Sequence, residues 1–412
     1  MILVSHPTGN TFVRALLEAL QTAGELSSYQ TTVTVQESNG LLRWLPQTLQ
    51  KELLRRACNL PETRVSPHPM LELVRLMAGR LGAARLTAHE TGWASVDAVY
   101  NNLDRHVARQ LGHHDIDAVY CYEDGALHTF RTAKRLALRC CYDLPIAYWQ
   151  TSRQLLEEEA VRLPAWEPTL LGTRDSQAKL ERKTEELELA DMVVCPSRFV
   201  YNSLPERVRQ TKCCVVAEFG SPEIALQKRS PRPGGTPMRV LFAGSMTQRK
   251  GLADLFAAIR LVARPDIELV VMGSPVAPME FYRSQSTFTW EPTRPHRAVL
   301  ELMHSCDVLV LPSIVEGRAL VQQEAMMCGL PLIATANAGG DDLIDEGKTG
   351  FLVPIRSPEQ IAHRLDWLAD HRDHLEWMRA LVRQKAERLS WQNYSRKILD
   401  AICPGLTRQE QP

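Results

Sequence analysis

The sequence predicts an α/β protein made of two doubly wound domains, and three observations carry that prediction. The chain has 412 residues, enough for two or three domains of about 150 residues each. Short apolar runs alternate with longer amphipathic stretches, as parallel strands joined by crossover helices do. A segment rich in proline, glycine and cations, Lys228–Pro237 (KRSPRPGGTP), divides the apolar runs into six and four, and such a composition reads as a linker.

Taken in order, the first six runs are Ile2–Ser5, Thr32–Val35, Ala118–Cys121, Ile146–Trp149, Met192–Cys195 and Cys214–Ala217. After the linker come Arg239–Ala243, Glu268–Met272, Asp307–Leu311 and Leu332–Ala334. Runs with so few charges suit strands covered on both faces. Helical periodicity lies between them, for example at Phe12–Ala23, Leu252–Val262 and Arg297–Ser305. Helices polar on one face continue from Pro358, and Ser390–Trp391 interrupts them before a last amphipathic helix. The expected division is residues 1–227, the linker 228–237, and 238–389, with 390–412 returning to the first domain.

Lysines and arginines number 48, as do aspartates and glutamates. That balance argues against a protein that coats nucleic acid, which carries a basic excess. The ten cysteines form no CxxC spacing and include two adjacent pairs, so neither a disulfide framework nor a structural zinc site is expected. The first residues lack a basic leader, and no apolar stretch is long enough to span a bilayer. The expected location is therefore cytoplasmic, with peripheral contact at a membrane left open. Lys51–Arg56 (KELLRR) is a modest amphipathic candidate for that contact, but it reads first as a soluble helix.

Two segments carry chemistry. Leu311–Pro354 reads LPSIVEGRALVQQEAMMCGLPLIATANAGGDDLIDEGKTGFLVP. A strand ends at Pro312–Ser313, and Glu316–Gly317 is expected to open a helix that runs to about Cys328, where Gly329 and Pro331 stop it. Amides at Gly317, Arg318, Ala319 and Leu320 would then form a helix N-terminus, which suits phosphate through its free donors and its dipole. Alone, Glu316 reads as a first-turn acid and Glu324 as a solvated helix residue. The second segment, Arg239–Gly251 (RVLFAGSMTQRKG), ends a strand at Gly244 and brings Arg249 and Lys250 to the next helix. A strand, a glycine loop with cations and a helix can cradle phosphate. Neither a Walker A loop nor GxGxxG is present. From Lys228 to Arg264 there are eight cations and one acid, Asp254.

Together these segments resemble the nucleotide-sugar domain of the retaining glycosyltransferases of the GT-B fold, known as group 1 or family 4. The likeness rests on E-x7-E, Glu316 to Glu324, within PS-x-x-E-G-x-x-L-x-x-x-E-A-M-x-C-G-L-P, and on the turn at Gly339–Gly340, the strand Phe351–Pro354 and the Gly244…Lys250–Gly251 loop. Ala190–Asp191, Pro196–Ser197 and Gly220 extend it weakly into the first half. The resemblance implies two Rossmann-like domains facing across a cleft. The second would bind a UDP-, GDP- or ADP-sugar, and the first a glycan or lipid-linked acceptor. It implies that Glu324 binds the ribose hydroxyls, that Glu316 holds the transferred sugar, and that amides 317–320 receive the pyrophosphate. Arg249 and Lys250 would stabilise the leaving phosphate. Transfer would retain the anomeric configuration, with no cofactor and no metal. Asp115-Ile116-Asp117 has DxD spacing but precedes a strand and reads as a surface turn.

Three positions depart from the family pattern. Ser245 stands where the family has arginine after the loop glycine. Gln150, in YWQTS, stands where a histidine often meets the sugar, and His128, in GALHTF, is an alternative that also reads as a helix-surface residue. The base-recognition segment does not align, although Trp290–Glu291 lies where relatives contact the base. Gly9, in HPTGN, lets its loop approach a ligand across the cleft or simply turns the chain. Leu155–Arg162 (LLEEEAVR) reads as a solvated face and Trp391 as packing. A nucleotide-sugar epimerase of the same fold and a catalytically idle nucleotide-sugar-binding protein are the alternative functions.

Overall fold

The computed structural model describes residues 1–35, 50, 53–54, 56–113, 115–222 and 235–404. Most of Lys228–Pro237, and Lys51, Glu52 and Arg55 of the KELLRR stretch, lie outside the described residues.

Seven strands form the first sheet: β1 (Ile2–Ser5), β2 (Leu26–Thr31), β3 (Val65–Pro67), β4 (Ala118–Tyr122), β5 (Arg139–Asp143), β6 (Met192–Cys195) and β7 (Cys213–Val216). Their spatial order is 3-2-1-4-5-6-7, and every pairing is parallel. The second sheet contains β8 (Met238–Ala243), β9 (Ile267–Met272), β10 (Thr289–Glu291), β11 (Val308–Leu311), β12 (Leu332–Ala334) and β13 (Gly350–Leu352), in the order 10-9-8-11-12-13, again all parallel. Both sheets thus wind outward in both directions from a central pair, β1/β4 and β8/β11. Ligands of open α/β sheets settle where the strand order reverses, beyond the carboxyl ends of those strands.

The helices follow in chain order: α1 (Thr11–Thr22), α2 (Met70–Arg80), α3 (Val96–Gln110), α4 (Leu127–Arg135), α5 (Trp149–Arg162), α6 (Gln177–Leu189), α7 (Arg198–Ser203) and α8 (Glu206–Thr211). In the second half they are α9 (Leu252–Val262), α10 (Met279–Gln285), α11 (His296–His304), α12 (Leu320–Met327), α13 (Pro358–Asp370), α14 (Arg372–Glu387) and α15 (Trp391–Ile402). Each sheet is covered on both faces. Leu16, Tyr120 and Met192 pack on one face of the first sheet, and Leu103, Val119 and Tyr142 on the other. Val240, Phe242 and Val310 lie on one face of the second, and Leu241, Val270 and Leu309 on the other. The Ser390 hydroxyl caps α15 by accepting from the Asn393 amide. That helix then buries Tyr394, Ile398 and Ile402 among the residues of β1 and α1.

Two expected strands are misplaced. Thr32–Val35 lies past the end of β2, which is LSSYQT. Ser28 and Gln30 are polar yet buried there, and Gln30 Nε2 donates to Ser28 Oγ at 3.3 Å, so no apolar run marks the strand. Ile146–Trp149 is loop and the start of α5. The strand is Arg139–Asp143, and Pro145 follows it. Two three-residue strands, β3 and β10, had no apolar run to announce them. The helix expected from Glu316–Gly317 begins at Leu320, because residues 312–319 pass over the other domain before the chain coils.

Candidate nucleotide-sugar site

The proposed phosphate loop follows β8 and the glutamate loop follows β11, so both leave the switch point of the second sheet. Gly244 ends β8 at φ +148°, and a Cβ there would lie 2.8 Å from Lys250 Cδ and 2.9 Å from Cε. The lysine stem is therefore laid across a bare backbone, which requires glycine. The Arg249 carbonyl accepts from the amides of Ile314 (2.9 Å) and Val315 (3.2 Å), and Arg249 Nη1 donates to the Val315 carbonyl at 2.9 Å. These bonds hold the two loops together. Across the join, Lys250 Nζ lies 2.5 Å from Glu316 Oε2 and Arg249 Nη1 lies 3.1 Å from Glu316 Oε1. Burial works to raise the Glu316 pKa, but the two cations outweigh it and hold the carboxyl at about 2. Glu316 is an acceptor-only carboxylate at any working pH.

The five consecutive amides of Gly317 to Val321 find no acceptor among the described residues, and the first bond of the turn is Gln322 N to the Ala319 carbonyl. Unpaired amides of this kind take water or an anion. Gly317 also meets the first domain. Its carbonyl accepts from Ser197 Oγ at 2.7 Å, and a Cβ would lie 1.7 Å from the Pro145 carbonyl oxygen. The Arg318 side chain is buried between the domains, with Nη1 donating to Asp342 Oδ2 at 3.0 Å and reaching the Pro196 carbonyl at 3.4 Å. Only its backbone therefore faces the amide row.

Glu324, on α12, lines an interdomain cavity of about 410 Å³ with Thr11, Arg14, Pro222, His296, Leu320 and Trp391. Burial pushes its pKa up, against His296, whose Nδ1 is 3.7 Å from Oε1. Trp391 packs on Phe219 and Tyr394, as expected, and also walls this cavity. Ser245 is exposed beside the lysine loop. Trp290, 38% exposed on β10, donates from Nε1 to the Gly273 carbonyl at 3.0 Å, while the Glu291 carboxylate is taken by Arg294.

Gly9 lies past β1, at the switch point of the first sheet, with φ +61°. Its amide and that of Thr8 donate to His6 Nδ1 at 3.0 and 3.2 Å. Burial drives the His6 pKa down to about 3, so the imidazole stays neutral and accepts both bonds. His128 is placed on the outer flank of α4, 3.4 Å from Arg105 and among Arg109, Arg131 and Arg135. Gln150 is exposed on α5 and faces a surface hollow with Arg153 and Glu157. Neither is bonded to the Lys250–Glu316 group. Among the described residues one set of metal-type side chains converges, His89, Glu90 and Asp175, but Lys179 Nζ already lies 3.0 Å from Asp175.

The sequence reading missed a third layer. Leu155–Arg162 is not simply a solvated face, because Glu159 within it is fully buried. Glu159 is bound by Arg162, by Arg356 and, at 2.8 Å, by Gln248 Nε2. Gln248 immediately precedes Arg249. Its Nε2 also donates to Asp254 at 2.8 Å, and its amide donates to Thr169 Oγ1 at 3.1 Å. Just beyond α5, Trp166 is buried in the core of the second domain against Phe256, Phe281 and Tyr282. This strap from the first half of the chain fastens the loop that carries both cations. The one sequence signal for it was Glu159 three residues before Arg162, a helical ion-pair spacing.

Residues 223–387 match the family of "Glycosyl transferases group 1". A putative colanic acid biosynthesis glycosyltransferase, WcaL, of Salmonella typhimurium is 26% identical over 45% of this chain and 50% of its own length. A D-inositol 3-phosphate glycosyltransferase of Paenarthrobacter aurescens is 30% identical over 42% of this chain and 45% of its own. The chain thus spans about half the length of these curated relatives. Among solved structures, sucrose-phosphate synthase of Thermosynechococcus elongatus superposes with a TM-score of 0.62, at 18% identity, over 99% of this chain and 98% of that one. Anabaena HepE in complex with UDP and glucose gives 0.60, at 13% identity, over 98% and 99%. Residues 223–387 are therefore similar to the group 1 glycosyl transferases, within a chain that has the two-domain fold of these solved structures.

Proposed function

We propose that the protein transfers a sugar from a nucleoside-diphosphate sugar to a glycan or lipid-linked acceptor, retaining the anomeric configuration and needing no metal. The observation that carries this reading is the Lys250–Glu316–Arg249 group, joined across two switch-point loops beside a row of unpaired amides. The pyrophosphate takes the amides of residues 317–321, and the two cations offset the charge that grows on the departing phosphate. Glu316, held ionised, accepts hydrogen bonds from hydroxyls of the transferred sugar. Glu324 accepts from the ribose diol in the cavity that Thr11 and Arg14 close from the first domain. The acceptor approaches from the side of Gly9. The leaving phosphate takes its proton on the face it vacates, so no side chain is required as base. The domain boundaries fit the same reading: residues 1–227 with the returning 390–412 for the acceptor, and 238–389 for the donor.

HepE was solved with UDP and with UDP-glucose, so a uridine donor is the first to try. A thermal-shift screen of UDP-, GDP- and ADP-sugars tests the reading, since a ligand of the native state at 100 times its Kd adds about 2.7 kcal/mol of stability. One nucleotide class should raise the melting temperature clearly above the others, and no shift from any of them would remove the proposal. Product analysis with the donor alone separates transfer from epimerisation, which needs no acceptor.

A further inference from the structure

Helix α2 (Met70–Arg80) is built inside out. Its one acid, Glu72, is 3% exposed and held by Arg56 at 2.6 Å and Arg75 at 2.7 Å. Ala78 is buried and Leu71, Val74 and Leu76 are half-buried, but the other apolar residues point outward. Met70 is 75% exposed, Leu73 41% and Met77 59%, and Leu81, just past the helix, is 78% exposed. Spacings of three and four place these side chains in one row along the helix. Leu86 and Trp93 carry the exposed apolar surface further. Seven of the seventeen exposed large apolar side chains among the described residues fall between Met70 and Val96. Scattered apolar residues are ordinary on a protein surface, whereas an aligned stripe is a contact surface.

Basic residues outnumber acids around the stripe, which Glu62 and Glu90 bound on either side. Across residues 63–88 Glu72 is the only acid, against Arg64, Arg75, Arg80 and Arg85, and Arg80 and Arg85 are exposed. Trp93 and Leu71 line a hollow of about 450 Å³ with Arg105, and Arg105 also lines the neighbouring hollow with Arg109, Arg131 and Arg135. The acids in the first hollow are already engaged, Glu90 by Ser176 and Asp97 by Lys179 at 3.1 Å. One arginine of the second, Arg131, is engaged by Glu185.

We infer that the α2 face docks on the surface of an anionic lipid bilayer. Met70, Leu73, Met77 and Leu81 would enter the headgroup boundary, and the flanking arginines would meet the lipid phosphates. An apolar row with basic flanks and an outward tryptophan is the composition that lies in an interface. A second copy of the chain would instead bring the same positive charge against it.

Flotation with vesicles of phosphatidylcholine, alone or mixed with phosphatidylglycerol, tests this independently of sugar transfer. Wild-type protein should float with the mixed vesicles, fail to float with phosphatidylcholine alone, and detach as salt is raised. Met77→Asp and the double change Arg80→Glu, Arg85→Glu should each lower partition at least about tenfold, since one basic residue near such a surface contributes about fivefold. These side chains are exposed, so melting temperature and nucleotide affinity should match wild type in both variants. Wild-type protein that stays unbound, or variants that bind as wild type does, would overturn the inference. Concentration-dependent dimerisation abolished by Met77→Asp would also overturn it, by assigning the stripe to a second copy.

Discussion

Glu316 shows how one residue is set by its neighbours. A carboxyl with a side chain only 14% exposed would by burial alone hold its proton more tightly, yet Lys250 and Arg249 bring it to about 2. A folded-state pKa below the unfolded one contributes stability that is present above the unfolded value, about 4.5. That contribution is lost as pH falls toward 2. The melting temperature of wild type should therefore drop more steeply between pH 5 and pH 3 than that of Glu316→Gln, which has no carboxyl to protonate. Parallel curves would show that the carboxylate is not held by the two cations. The E-x7-E spacing made this residue legible in the sequence, but its partners were legible only as two cations in another loop. What joins them is the parallel order of β8 and β11, which no local pattern encodes. His6 was illegible for a related reason. An imidazole that accepts two backbone amides in a turn leaves no spacing to read.

At the scale of elements, strands with continuous apolar runs were placed almost residue for residue. Those that bury polar side chains were not: β2 satisfies Ser28 and Gln30 internally and looks like a loop. The helix after β11 was expected three residues too early. Gly317 reads as a helix start, but the structure uses it where the backbone of the first domain passes, and no Cβ fits against Pro145. The α5 strap was hidden because Glu159 sits between Glu158, which is 43% exposed, and solvent-facing neighbours. Yet Glu159 is the residue through which the strap grips Gln248 and hence the cation loop. Glu159→Ala should lower stability by about 2–4 kcal/mol, because two arginines lose a buried partner, and should weaken nucleotide binding as the loop loosens. Glu159→Gln, which keeps acceptor capacity, should recover part of the affinity. Urea unfolding with binding measured on the same samples checks this, and an unchanged midpoint in Glu159→Ala would refute the strap's role.

The whole molecule is two sheets that meet at the carboxyl ends of their strands. Thr11 and Arg14 past β1 share a cavity with Glu324, and Pro196 and Ser197 past β6 meet Arg318 and Gly317. Zero net charge conceals this arrangement: of the cations between Lys228 and Arg264, Arg249 and Lys250 lie at the phosphate loop, Arg239 and Arg264 pair with Glu268 and Asp266 away from it, and Lys228, Arg229 and Arg232 lie outside the described residues. Two contacts brace the halves near the site, Ser197 to the Gly317 carbonyl and Arg318 to Pro196. The returning helix α15 completes the cavity with Trp391. Among the described residues no helix is long and apolar enough to cross a membrane. The central claim is that Lys250 and Glu324, separated in the chain by the three strands β9, β10 and β11, grip two ends of one nucleotide. Calorimetric titration of the best-stabilising nucleoside diphosphate into wild type, Lys250→Ala and Glu324→Ala tests it directly. Each variant should bind about 10- to 100-fold more weakly, the loss of one charge-assisted contact, with folding intact. Wild-type affinity in both variants would contradict the account.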